Sequence, residues 1–170
     1  ERFKRRVSRA VGEGANCLII QFECGQGKVE SALEIASFIR DLEKSARVNP
    51  IKTIAFHTTR ARDLSLIMSL ACSQIIMEEG ASLGPLDDAL ISNPETRLRL
   101  RTQLEDLLQE KIASKLEAKL LAEAFLNSSS RIALVVHKVT GETKLIDSED
   151  LVNQPAFKLE LQIKPFDKED

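Results

Sequence analysis

The chain has 170 residues, 43% of them hydrophobic and 29% charged, with a formal net charge of −2. That length suits one domain able to bury roughly two-thirds of its unfolded surface, and the composition excludes a disordered or fibrous chain. A sequence pI of about 5.8 gives no electrostatic basis for nucleic-acid binding.

Taken in order, residues 2–12 carry a helix pattern that stops at Gly12 and Gly14. Its cluster Arg2, Lys4, Arg5, Arg6 and Arg9 reads as the solvated face of that helix, the alternative being a membrane or nucleic-acid contact. Cys17-Leu18-Ile19-Ile20-Gln21-Phe22 has the length of a buried strand, and Gly25-Gln26-Gly27 turns the chain. Val29, Leu33, Ala36 and 39–42 recur at helical spacing until Asn49-Pro50. A strand over 53–57, a helix over 64–72 and a strand over 74–77 follow, ending in the loop from Gly80 to Pro85. Strand–helix–strand–helix–strand at this spacing predicts parallel strands with right-handed crossovers.

From Pro94 to Leu126 the leucine spacing predicts one bent helix or two, with Ser92 or Asn93 as cap. Residues 131–139 and 142–146 around Thr140-Gly141 form a hairpin pattern, and 157–163 a last strand. No repeat or internal boundary is evident, so a single domain over 1–170 is expected. Because the chain starts at Glu1, it reads as a piece of a longer protein. With no tryptophan or tyrosine and seven phenylalanines, the core must be largely aliphatic. Cys17, Cys24 and Cys72 form no CxxC pair and each sits in an apolar run, as small core residues do. No metal site and no cofactor is expected.

Several phrases then line up with one family. Residues 15–29, with Gly25-Gln26-Gly27-Lys28, resemble the strand, Pro-Gly-Gly turn and helix of signal-peptide-peptidase-A and NfeD-type serine proteases of the ClpP/crotonase superfamily. Lys52-Thr53-Ile54-Ala55-Phe56 is similar to their second strand, and Ser69-Leu70-Ala71-Cys72-Ser73-Gln74-Ile75 to their Ala-Leu-Ala-Ala-Asp-Glu-Ile. Gly80-Ala81-Ser82-Leu83-Gly84 is similar to their Gly-Ser-x-x-Gly. Leu121-Ala122-Glu123-Ala124-Phe125 and Gly141-Glu142-Thr143-Lys144-Leu145 resemble the tail of the NfeD-type branch. The resemblance covers about 4–152, collinear and with nearly unchanged spacing. It implies a ClpP/crotonase-like α/β fold of repeated β-β-α units with parallel strands and a long helical arm.

Residue by residue, it places the family's nucleophilic serine at Asp63 and its lysine base near Arg99, with Arg97 and Arg101 beside it as a solvated face. A carboxylate is a poor nucleophile at a peptide carbonyl and sets negative charge beside the oxyanion that must develop. Arginine stays protonated and cannot act as the base. Asp63 also suits a helix N-cap, and Asp63 with Arg99 is expected as an ion pair where the dyad would sit. The oxyanion segment is half kept: Gly27 matches the second family glycine, Gln26 follows Gly25 in place of the first, and Leu64 can donate its backbone N–H.

The resemblance therefore implies a degenerate protease-like domain acting in binding, scaffolding or assembly. Its partner would be a second copy, a homologous protease domain or a peptide, on the extracytoplasmic side of the parent's membrane. The alternative is a serine endopeptidase using Ser65, with Lys111 or Lys115 as base; a third reading is an acyl-CoA enzyme with Asp63 as its carboxylate. His57, at a strand end, is placed to face the site, whereas His137 reads as an exposed strand histidine.

Overall fold

A computed structural model describes residues 1–23, 27–45, 50–127 and 129–163. Its contacts group into two compact units, Glu1–Gly84 and Pro85–Asp170. The protein is α/β, with a three-stranded parallel sheet in β-α units and a small antiparallel sheet.

In the first unit, helix α1 (Arg2–Gly12) precedes strand β1 (Cys17–Gln21), helix α2 (Val29–Ser45), strand β2 (Lys52–His57), helix α3 (Leu64–Leu70) and strand β3 (Gln74–Met77). The strands pair in parallel in the order β1-β2-β3. Register puts Leu18, Thr53 and Ile20, Ala55, Ile75 on one face with His57, and His57 bonds to α3, so this is the helix-covered face. There Ala32, Ala36 and Ile39 of α2 and Leu66, Ile67 and Leu70 of α3 form the core. Thr53 is tolerated inside it because Ser73 answers both its polar groups: Thr53 N–H donates to Ser73 Oγ and Ser73 N–H to Thr53 Oγ1, each at 3.0 Å.

The opposite face carries Cys17, Ile19 and Ile76, all exposed, with Ile19 at 71%. This corrects the core reading of Cys17 and of β1 as a fully buried strand. An unbroken apolar run does not say whether one face of a sheet is covered or both. Cys72 is buried as expected; Cys24 lies outside the described residues.

Helix α1 is held from beneath. Val7 is buried, Phe3 meets Phe38 of α2 edge-on at 6.3 Å, and Lys4 reaches Glu34 at 3.9 Å. Arg2, Arg5, Arg6 and Arg9 follow one another at helical spacing on the exposed side. Each like-charged pair at that spacing costs roughly 0.2–0.5 kcal/mol of helix stability, and the first turn holds no acidic residue to oppose it.

In the second unit the long amphipathic stretch is two helices, α4 (Pro94–Gln109) and α5 (Lys115–Leu126). Asn93 caps α4, its side chain accepting from Glu95 N and Thr96 N, and Pro94 fills the first turn, as the sequence predicts. Leu100, Leu104, Leu107 and Leu108 are buried on α4, and Ala118, Ala122 and Leu126 on α5. Arg97 and Arg101 are half-exposed but both reach Glu123 of α5, at 3.7 and 3.6 Å, so they bridge helices in addition to facing solvent.

Strands β4 (Ile132–His137), β5 (Thr143–Asp147) and β6 (Phe157–Ile163) form the antiparallel sheet in the order β5-β4-β6. A 3-10 helix over Ser148–Asn153, absent from the sequence reading, is capped by Asp147. Ala133, Val135 and Ile146 make its core with Leu151 and Phe157. His137 is half-buried against Phe157, ring centroids 5.0 Å apart, not the exposed residue expected.

Glu117 ties α5 to the sheet: its Oε1 accepts the β5 N–H of Leu145 at 2.7 Å. An edge strand's unpaired N–H needs such an acceptor when partly buried. E117A therefore lowers unfolding stability by about 1–3 kcal/mol, and E117Q, which keeps an acceptor, recovers most of it. Urea denaturation measures both, and equal stability of the two variants would count against the tie.

Candidate functional site

The site builds from the carboxyl ends of the parallel strands. After β2 the chain runs through Arg60 and Ala61 to a sharp turn that starts α3. Ala61 is clamped by the loop after β3: its N–H donates to Ser82 C=O at 2.7 Å and its C=O accepts from Gly84 N–H at 2.9 Å. A Cβ at Gly84 would stand 2.7 Å from Arg60 Nε, so any larger residue there would have to displace the Arg60 side chain. The Gly80–Gly84 phrase thus holds the approach to the turn.

The turn itself is Arg62-Asp63-Leu64-Ser65. Ser65 N–H donates to Arg62 C=O at 3.0 Å, and Asp63 has φ 52° and ψ −119°. Those angles belong to the first central position of a type II′ turn, which glycine normally fills. Asp63 is the one non-glycine residue with positive φ among the described residues. A side chain there stores on the order of 1–3 kcal/mol of strain.

Asp63 makes no side-chain capping bond to α3. The N-cap reading is corrected: a cap needs extended backbone to swing its oxygen over the helix amides, and this backbone is turned the other way. Asp63 is half-buried. Its C=O accepts Leu66 N–H at 3.1 Å.

Leu64 follows it, with 4% of its surface exposed. Among the described residues nothing accepts the Leu64 N–H, because the middle peptide of such a turn takes no part in closing it. Against Leu64 lies Gly27, at φ 151°, where a Cβ would stand 2.8 Å from Leu64 Cδ1. Gly27 and Leu64, 37 positions apart by their numbers, are thereby brought together beside Asp63. Gly25 and Gln26 lie outside the described residues.

Ser65 is 2% exposed and Ser69 fully buried. Ser69 Oγ–H donates to Ser65 C=O at 2.6 Å and lies 2.7 Å from His57 Nε2. A hydroxyl has one proton, so His57 must donate Nε2–H to Ser69. The couple cannot run as base and nucleophile: the imidazole nitrogen that faces the hydroxyl already carries a proton. His57 stacks near Phe22, centroids 6.3 Å apart, and points into the core, not to the turn's open side. Sequence reading missed this bond; a serine at a helix turn opposite a strand-end histidine was its only trace.

Arg99 lies on the exposed side of α4, in the second unit, and Asp63 in the first. Lys111 follows α4 and Lys115 begins α5. No cluster of three or more metal-binding side chains occurs among the described residues, and none of them forms a helix long and apolar enough to cross a membrane.

Burial pushes the His57 pKa below its ordinary 6.5. Above 6.5 the ring is neutral in both folded and unfolded chains. Below it, the unfolded chain takes up a proton that folded His57 refuses, so stability falls until the folded value is passed. Urea midpoints therefore decline as the pH falls from about 7 through the ordinary histidine range, and the His57→Gln variant declines less steeply. An identical slope in the variant would assign the effect to other groups.

Comparison with known protein families, curated proteins and solved structures returns no match for this chain.

Proposed function

We propose that this chain is a protease-like domain of the ClpP/crotonase superfamily that has lost its hydrolytic residues and works by binding, as a scaffold or assembly partner. The observation that carries the reading is the turn at Asp63. A sharp turn leading from strand to helix is where α/β-hydrolases present a nucleophile, and here such a turn carries a carboxylate. The Leu64 N–H, unpaired among the described residues, and the close approach of Gly27 support a retained carbonyl-binding corner. By the resemblance both donors are backbone groups, of Gly27 and Leu64, which the loss of a serine side chain would not remove.

Hydrolysis would need a nucleophile beside that corner. Asp63 resists the role because its charge repels the developing oxyanion, and Ser65 is buried with its own N–H and C=O engaged. At the position that the resemblance gives to the base stands Arg99, which cannot take up a proton. The proposed partners are a second copy, a homologous protease domain or a peptide, on the extracytoplasmic side of a membrane in the parent.

The test is cleavage of casein and a peptide library by the wild type, by Ser65→Ala and by the Asp63→Ser/Arg99→Lys double variant. The wild type is expected to be inert, with cleavage appearing in the double variant. Wild-type cleavage abolished by Ser65→Ala would overturn the reading and make the chain an enzyme with a displaced nucleophile.

A further inference from the structure

We propose that the outward face of α1 is a docking surface for an anionic phospholipid bilayer. Arg2, Arg5, Arg6 and Arg9 stand at i, i+3, i+4 and i+7 and are all exposed, a stripe about 10 Å long. Arg9 is paired with Glu13 at 2.8 Å. The side chains of Arg2, Arg5 and Arg6 have no ion-pair or hydrogen-bond partner among the described residues. These cations also crowd the helix's positive end, with no acidic residue in its first turn. The arrangement opposes the helix: Glu1 stands at the N-cap, yet among the described residues no acidic side chain pairs with three of the four.

The chain's net charge is −2, so the stripe is a local concentration of positive charge on an otherwise acidic protein. Guanidinium groups match phosphate oxygens in a two-point fork. The only aromatic residue of α1, Phe3, is turned onto Phe38, which leaves no platform for stacking nucleic-acid bases. Helix α1 carries no exposed large apolar residue to anchor a protein segment. A flat array of lipid phosphates asks for neither. Because Val7 and Phe3 already pack on the chain's own core, the helix adsorbs by charge and does not insert.

The experiment is cosedimentation of the 170-residue chain with vesicles of equal phosphatidylglycerol and phosphatidylcholine, and with vesicles of phosphatidylcholine alone. Binding to the anionic vesicles only is expected, weakening with salt and falling about fivefold for each arginine removed through R2Q/R6Q to R2Q/R5Q/R6Q/R9Q. The charge-matched control K115Q/K119Q/R131Q/K158Q is expected to bind like the wild type. Circular dichroism verifies that the helix persists, and the double variant keeps the test open if the quadruple one unfolds. Absent or salt-insensitive binding, equal binding to neutral vesicles, or equal loss in the control overturns the proposal. So does tighter binding to duplex DNA or polyglutamate at the same salt, which would give the stripe to a different polyanion.

Discussion

The candidate site rests on one backbone conformation, the type II′ turn in which Asp63 occupies a region that side chains avoid. Such a turn persists only when its surroundings outweigh its strain. Here α3 supplies the weight, since all seven of its residues are buried. Burying each of Leu64, Leu66, Ile67, Met68 and Leu70 contributes about 1.5–3 kcal/mol, together several times the roughly 1–3 kcal/mol stored at Asp63. The clamp on Ala61 from Ser82 and Gly84 fixes the other end. Relaxing the turn would move α3 out of its seat, so the strain is cheaper than its relief.

From that turn the rest of the site's chemistry follows. The peptide between Asp63 and Leu64 is left out of the turn's closing bond, so its N–H has no acceptor among the described residues, and a Cβ at Gly27 would press on Leu64 Cδ1. A serine in this frame would have a nucleophile and a donor side by side. Under the proposed reading, a carboxylate keeps the frame while adding charge where catalysis would need none. The neighbouring His57–Ser69 bond belongs to the core: its proton arrangement locks β2 to α3 and leaves the histidine no basic nitrogen for Ser69.

Much of this architecture was legible in the sequence. Periodicity located every strand and α-helix within a few residues, and Pro94 with Asn93 marked the start of α4 because capping is a local property. What periodicity could not carry was whatever depends on distant neighbours. The exposure of Cys17 and Ile19 depends on which face of the sheet α2 and α3 cover. Asp63 looked like a cap because aspartate favours helix starts, yet the clamp at Ala61 sets its backbone and turns the side chain away from that duty. The spacing of Gly27 and Leu64 could be read only by resemblance; their contact is a tertiary fact. Glu117, reaching Leu145 across a loop and a strand, left no local signal at all.

The measurement that most directly tests whether Asp63 sits on a strained, firmly held turn is the urea stability of Asp63→Gly against Asp63→Ala. Glycine enters this region of backbone space freely and alanine does not. The account predicts that the glycine variant is the more stable of the two by about 1–2 kcal/mol, despite the greater flexibility glycine gives the unfolded chain. Alanine equal to or better than glycine would mean that residue 63 does not hold a positive φ, and the frame proposed for the site would fall with it.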